Sequence, residues 1–258
     1  MLFALNSNIC NQVENLASLY QTATPFSHII IDNFLDESLA EKLLEDFPDI
    51  SMTVRSGHRL FVHKYELAFN HQLSYPFQKL HQELTSTSFN LFLSQIVGEN
   101  VFVDPDRFAD IHLSINGSFL DIHTDFNIHC SKLNWLHCLN VIIYFNKEWQ
   151  KNFGGQLILT SEREGLTSKI EPLFNRCVIM KSDDTTYHGC QRLVVPENIT
   201  RKSIIIPVYK EESIHNLPPR HLTQFFPQQG LRKKLFLSKI YNSFTSLKLR
   251  WKKYLTGV

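Results

Sequence analysis

At 258 residues, 43% hydrophobic and 20% charged, the chain holds enough apolar material for one sizeable domain with a good core. Its 26 Lys and Arg stand against 25 Asp and Glu, a formal charge of +1, so no global basic excess argues for a nucleic-acid partner. No window offers ~20 uninterrupted apolar residues, the first residues lack the pattern of a secretion signal, and the five cysteines form no CxxC pair; the expectation is no transmembrane segment, no signal peptide, no disulfide framework, and the cytoplasm as compartment.

In chain order, residues 8–21 carry a helical pattern and 25–32 read as a strand. Asp36 is placed to cap a helix over 37–46 that Pro48 stops, with Leu39, Leu43, Leu44 and Phe47 on its apolar face. The stretch 51–72 holds Arg55, His58, Arg59, His63 and Lys64; it suits a pocket lid that meets an anionic substrate, or a solvated loop. Residues 76–97 predict one longer helix with Pro76 in its first turn. From about 101 to 209 the pattern changes to short β-rich runs separated by turn signals such as 152–155. Helices followed by many short strands imply a mainly β fold with flanking helices packed outside a sandwich or barrel. Cys138 and Cys177 fall within apolar runs and read as small buried hydrophobes.

The chemistry concentrates in the β-rich region. His123 and Asp125 lie at i and i+2, which on a strand puts both on one face. In the run 119–126, Phe119, Asp121, His123 and Asp125 then share one side and Leu120, Ile122 and Thr124 the other. His188 stands 63 residues after Asp125, so only tertiary folding can bring it to the same point. Two histidines and one carboxylate with open coordination positions are what non-haem Fe(II) oxygenases use. Thirteen residues past His188, after a loop over 194–200, Arg201 opens a strand in which it shares a face with Ser203 while Lys202 points the other way. The guanidinium fork matches a carboxylate bidentately, and Ser203 adds a hydroxyl, which suits a dicarboxylate bound beside the metal. An HxD pair alone is common among 12 histidines; the ordered set is what raises it above chance.

Residues 26–209 resemble the prolyl-4-hydroxylase-like branch of the Fe(II)/2-oxoglutarate-dependent oxygenases, in the manner of its stand-alone bacterial members. The likeness rests on Asn116-Gly-Ser-Phe-Leu-Asp-Ile-His-Thr-Asp-Phe-Asn127, on Leu139-Asn-Val-Ile-Ile-Tyr-Phe-Asn-Lys-Glu-Trp149 with Gly154-Gly-Gln-Leu157, on Pro172-Leu-Phe-Asn-Arg-Cys-Val-Ile-Met180, on Tyr187-His-Gly189 and on Arg201-Lys-Ser203, in that order. The resemblance implies a double-stranded β-helix (jelly roll), with His123, Asp125 and His188 as iron ligands and Arg201 as partner of the distal carboxylate of 2-oxoglutarate. It implies Ser203 and Tyr144 as hydroxyl donors near that carboxylate, although Tyr144 also reads as a core aromatic, and Asn127 at the pocket border. It implies Fe(II), 2-oxoglutarate and O2 as cofactor and cosubstrates, with ascorbate in a supporting role. Related halogenases carry a small residue where Asp125 stands, so the carboxylate implies hydroxylation. The chain departs from the pattern at His137-Cys138, where many relatives have arginine, and at Ile206-Pro-Val-Tyr209, where an aromatic run is common.

On this reading residues 1–100 support the barrel, 101–210 form the jelly-roll catalytic core and 211–258 a basic, helical extension, all in one globular unit. The expected function is hydroxylation of an unactivated C–H bond of a small molecule or biosynthetic intermediate, with release of succinate and CO2. A protein prolyl or other side-chain hydroxylase is the alternative within the class. A non-catalytic jelly-roll binding module would be expected to lose a ligand or Arg201, and a zinc hydrolase would need a general base and leave Arg201 without a role. From Ser213 onward there is no Asp or Glu and there are nine Lys or Arg, while Leu237, Ile240, Tyr241, Phe244, Leu247, Trp251, Tyr254 and Leu255 recur at helical spacing. Such a helix either meets an anionic membrane surface or an acidic partner, or packs its apolar face on the barrel or a second subunit.

Overall fold

Alternating apolar and polar residues become strands here, and apolar residues recurring every three to four become helices. The structure, a computed structural model, describes residues 2, 4–55, 60–69, 72–161, 165–227 and 232–256, with side chains except at 55, 232 and 247–256. The N-terminal part contributes α1 (Val13–Thr22), β1 (His28–Ile31), α2 (Glu37–Glu45), β2 (Val54–Arg55), β3 (Val62–His63), β4 (Tyr65–Ala68), α3 (Tyr75–Leu84) and α4 (Thr87–Val97). The β-rich part follows as β5 (Phe102–Val103), β6 (Asp110–Ser114), β7 (Phe119–Thr124), β8 (Trp135–Tyr144), β9 (Leu157–Thr160), β10 (Thr167–Ile170), β11 (Arg176–Lys181), β12 (Tyr187–Cys190), β13 (Arg201–Glu211) and β14 (Gln224–Phe225). A long helix, α5 (Arg232–Thr256), ends the chain.

The strands form two antiparallel sheets. The larger runs β1-β11-β8-β13-β6-β4-β2, with β5 also on β13, and the smaller runs β10-β9-β12-β7-β14, with β3 on β7. This is the expected jelly roll. Period-two alternation tells each strand of the large sheet which way to face. Leu139, Val141 and Ile143 of β8, Ile204, Ile206 and Val208 of β13, and Ile111 and Leu113 of β6 join Leu16, Leu43, Phe77, Leu80, Phe89 and Leu93 of the four N-terminal helices in one core. Each such side chain contributes about 2 kcal/mol on burial. The alternate positions, Asn140, Ile142 and Tyr144 of β8, Arg201, Ser203 and Ile205 of β13, and Asp110, His112 and Ser114 of β6, line a cavity on the opposite face. One face of the sheet is thus made for stability and the other for chemistry.

Local signals explain the helices. Asp36 caps α2 by accepting the Leu39 N–H at 3.1 Å, as expected. The single helix expected over 76–97 is two helices instead. The run Thr85-Ser-Thr-Ser88 breaks it: Thr85 Oγ1 donates back to the His81 carbonyl at 2.7 Å, and Ser86 Oγ accepts the Phe89 N–H at 3.2 Å to start α4. Short hydroxyl side chains compete for the hydrogen bonds that would continue a helix. Of the stretch 51–72, three short strands join the sheets; His58, Arg59 and the side chain of Arg55 lie outside the described residues. Cys177 is fully buried and Cys138 half-buried, burial pushing the latter's thiol up to about 12, and all five cysteines are free.

Candidate active site

The site begins with an irregularity in β7. His188 of β12 pairs directly with His123, but the next pair is Cys190 with Leu120, so three steps along β7 face two along β12. This is a β-bulge, and it breaks the alternation expected over 119–126. Leu120, not Asp121, shares the cavity with His123, while the Asp121 carboxylate turns out to meet Lys234 of α5. The bulge also places the Asp121 carbonyl 2.9 Å from His123 Nδ1. A carbonyl only accepts, so Nδ1 carries the proton and Nε2 presents its lone pair to the site. Opposite the bulge stands Gly189, where a Cβ would lie 2.8 Å from the Leu120 carbonyl oxygen. Only glycine allows β12 and β7 this close, which holds the two imidazole rings 4.2 Å apart, centre to centre.

Asp125 follows the end of β7. Its Oδ1 lies 3.4 Å from His123 Nε2 and its Oδ2 3.4 Å from His188 Nε2. One donor atom from each of the three residues falls within 4.8 Å of the others, so together they could hold a metal ion. Asn140 donates to Asp125 Oδ2 at 2.6 Å and Ser182 at 3.3 Å. Burial pushes the Asp125 carboxyl up, but His188, His123 and His137 around it prevail and hold it well below the usual range. Burial, reinforced by His123, brings His188 down to about 3, so it stands as a neutral imidazole. Imidazole nitrogens and a carboxylate converging from one side suit a non-haem iron with open positions.

A second corner of the same cavity is built around Arg201, which is 6% exposed. Its Nε donates to the Gly155 carbonyl at 2.8 Å, its Nη1 lies 3.5 Å from Ser203 Oγ, and its guanidinium sits 4.9 Å from the Tyr144 ring centre. Ser203 and Tyr144 are direct partners across β13 and β8, and both are fully buried. Among the described residues no carboxylate pairs with Arg201, and the Tyr144 hydroxyl has no hydrogen-bond partner. Burial pushes that phenol up to about 12, so it remains a donor. An unpaired buried cation costs several kcal/mol unless an anion joins it. The cavity is about 250 Å³ and also reaches His123, Asp125 and His188. The residues present therefore fit both an iron ion and a dicarboxylate.

One expectation comes out differently. Asn127 is absent from this cavity lining; its amide donates to the Pro219 carbonyl at 2.9 Å and accepts the His221 N–H at 3.0 Å, pinning the returning C-terminal segment. Lys202 leaves the site as expected, its ammonium 5.6 Å from the Phe47 ring centre. Asn140 and Ser182 were not foreseen, nor was the cluster of Lys64, Glu66 and His112. Glu66 lies 2.7 Å from Lys64 Nζ and 3.3 Å from His112 Nε2. Burial raises the Glu66 carboxyl, but His112 and Lys64 outweigh it and hold it well below its ordinary value. His112 falls to about 4, through burial first and Lys64 second. Beyond them an outer cavity of about 700 Å³, bordered by Arg107, Arg220 and Tyr241, adjoins His123 and Asp125.

A jelly roll holding two histidines and an aspartate beside a buried, anion-seeking arginine defines a class, and the comparisons name it. Residues 110–206 match the 2OG-Fe(II) oxygenase superfamily. Among solved structures, a Pseudomonas putida prolyl-4-hydroxylase aligns with a TM-score of 0.59 at 15% identity, over 80% of this chain and 100% of that one. A prolyl hydroxylase from Trichoplax adhaerens, solved with a hypoxia inducible factor peptide, aligns at 0.60 and 18%, over 79% and 93%. SnoN, a non-heme alpha ketoglutarate dependent epimerase from nogalamycin biosynthesis, aligns at 0.55 and 13%, over 87% and 88%. No curated protein matches the chain by sequence. The chain carries the 2OG-Fe(II) oxygenase superfamily match over residues 110–206, the stretch that holds His123, Asp125, His188, Arg201 and Ser203. It is a 2-oxoglutarate-dependent non-haem iron dioxygenase, of a family that uses Fe(II), 2-oxoglutarate and O2.

Proposed function

We propose that this enzyme hydroxylates an unactivated C–H bond of a small molecule or biosynthetic intermediate. The observation that carries the proposal is a single cavity with three convergent donor atoms in one corner and an unpaired buried arginine in another. His123, Asp125 and His188 would hold the iron; Arg201, helped by Ser203 and Tyr144, would take the distal carboxylate of 2-oxoglutarate. With both bound, the centre would supply the chemistry by which O2 oxidises the two substrates together, one oxygen atom turning C–H into C–OH and the other entering succinate as 2-oxoglutarate loses CO2.

The protein's own part is positioning. Asn140 and Ser182 fix the Asp125 carboxylate, and the Asp121 carbonyl fixes the His123 ring. Ile142, Leu157 and Ile205 keep the cavity wall apolar between the two corners. Asp125 occupies the position where halogenases need room, which supports hydroxylation. The mixed polar lining of the outer cavity suits a small ligand. A prolyl or other protein side chain is the alternative substrate, and the likeness to prolyl hydroxylases bears on the fold alone. Residues 101–210 would be the catalytic core and 1–100 its support. Among the described residues no helix is long and apolar enough to cross a membrane, and the cytoplasm is the compartment we propose.

The test is anaerobic purification, loading with Fe(II) and 2-oxoglutarate, then admission of O2 with succinate followed over time. A metabolite extract serves as substrate source, and labelled O2 should leave one oxygen atom in the product. Absence of turnover with bound iron verified would overturn the proposal, and an unlabelled, isomerised product would point to epimerisation.

A further inference from the structure

The chain's charge is divided unevenly along its length. Of 26 Lys and Arg, nine lie after residue 212, which leaves 17 against all 25 Asp and Glu in the part before it. The body is thus acidic by eight charges and the extension basic by nine, and α5 carries most of the extension.

The helix is also inside out. Its protein-facing side is polar: the Asn242 amide pairs both ways with the Phe225 backbone at 3.0 Å, and Ser238 and Thr245 are buried at 2% and 8% exposure. Lys234 meets Asp121, and Tyr241 is the aromatic contact, 5.7 Å from Phe61 and 5.6 Å from Phe225. The opposite side presents Phe236, Leu237, Ile240 and Phe244, which are 64%, 42%, 50% and 65% exposed. A surface helix ordinarily turns its apolar stripe to the core and its polar face to water. In the sequence the stripe continues at the same three- and four-residue spacing with Leu247, Trp251, Tyr254 and Leu255, and Lys239, Lys248 and Arg250 fall along its flanks.

We propose that α5 lays this enzyme on an anionic bilayer, with Phe236, Leu237, Ile240 and Phe244 in the headgroup boundary and the flanking basic side chains on the lipid phosphates. An outward apolar stripe edged by Lys and Arg, without a single acidic residue in 46, is the pattern of a helix lying in the interface plane. The long basic side chains can bury their stems and keep their charges among the headgroups. The acidic body of a second copy competes on charge alone. Among the described residues the other exposed large hydrophobics on regular elements are dispersed, as with Leu19 on α1, Ile30 on β1, Tyr75 on α3 and Leu91 on α4, and offer the stripe no apolar groove.

The experiment is co-sedimentation of the full chain with vesicles of phosphatidylcholine alone and with phosphatidylglycerol added. The expected result is binding that needs the anionic lipid and weakens with salt, and that falls at least about tenfold in Phe236→Ser/Ile240→Ser/Phe244→Ser. These side chains are solvent-exposed, so the variant should keep the wild-type melting temperature and circular dichroism. No binding to the anionic vesicles, or undiminished binding by the folded variant, would overturn the proposal. So would a concentration-dependent dimer, seen by light scattering, that the same three changes dissolve, because a second copy would then cover the stripe. Turnover is not read, so the outcome is independent of the proposed reaction.

Discussion

The two corners of the catalytic cavity are built on opposite electrostatic plans. At the proposed metal corner the protein gathers electron-rich atoms: two neutral imidazoles face the Asp125 carboxylate, which an asparagine amide and a serine hydroxyl hold in place. At the other, Arg201 is as buried as the two histidines but, among the described residues, faces only a carbonyl, a hydroxyl and an aromatic ring. The first corner is organised before anything binds. The second carries a desolvation cost that only an incoming anion can relieve. Metal and cosubstrate should therefore respond separately to mutation, although they share one cavity.

Asp125→Ala gives the sharpest break. It removes the one anionic donor, so iron binding and succinate production should both fall by on the order of a thousandfold or more, read by metal analysis and coupled turnover. Arg201→Ala is next: the KM for 2-oxoglutarate should rise by about a hundredfold while bound iron stays stoichiometric. The same variant should lose the rise in melting temperature that 2-oxoglutarate gives the wild type. Equal loss of iron in both variants would dissolve the distinction between the corners. Asn140→Leu should lower iron affinity by roughly tenfold through a mobile Asp125 carboxylate, with little effect on the KM for 2-oxoglutarate.

The smallest effect concerns His112, which lines the cavity and is pushed down to about 4, below its ordinary 6.5, by burial, Lys64 and the charge of Arg201. Between those two pH values the unfolded chain binds a proton that the folded chain refuses. Stability from this group is therefore complete above about pH 6.5 and is lost as pH falls toward 4. Melting temperatures across that window should drop less steeply in His112→Gln than in the wild type.

The convergence of the three proposed ligands was legible because its pattern is local: His123 and Asp125 are two apart, and His188 stands in a Tyr-His-Gly setting. Arg201 and Ser203 were legible for the same reason, spacing on one strand. What escaped depends on contacts between distant segments. Asn140 and Ser182 meet Asp125 only because β8 and the turn after β11 fold against the end of β7. An extra residue leaves no mark in a pattern of alternation, so strict alternation puts Asp121 and Leu120 on each other's faces and hides the bulge. Asn127 sat in the right neighbourhood, but its amide was already committed to the chain returning at Pro219 and His221. The split at Thr85 and Ser86 was readable, since hydroxyl runs favour caps, but the apolar periodicity on either side spoke louder.

Gly189 gives the metal corner a component that is not a ligand. The two histidines keep their distance because an atom is missing between the strands that carry them: a side chain there would strike the Leu120 carbonyl. A homologue with a bulkier residue at this position would retain His123, Asp125 and His188 and would pass any inventory of ligands, yet its strands would stand too far apart for the three to meet. The vacancy beside His188 belongs to the metal motif as much as the imidazoles do, and it is the part of the motif that residue-by-residue inheritance of function overlooks.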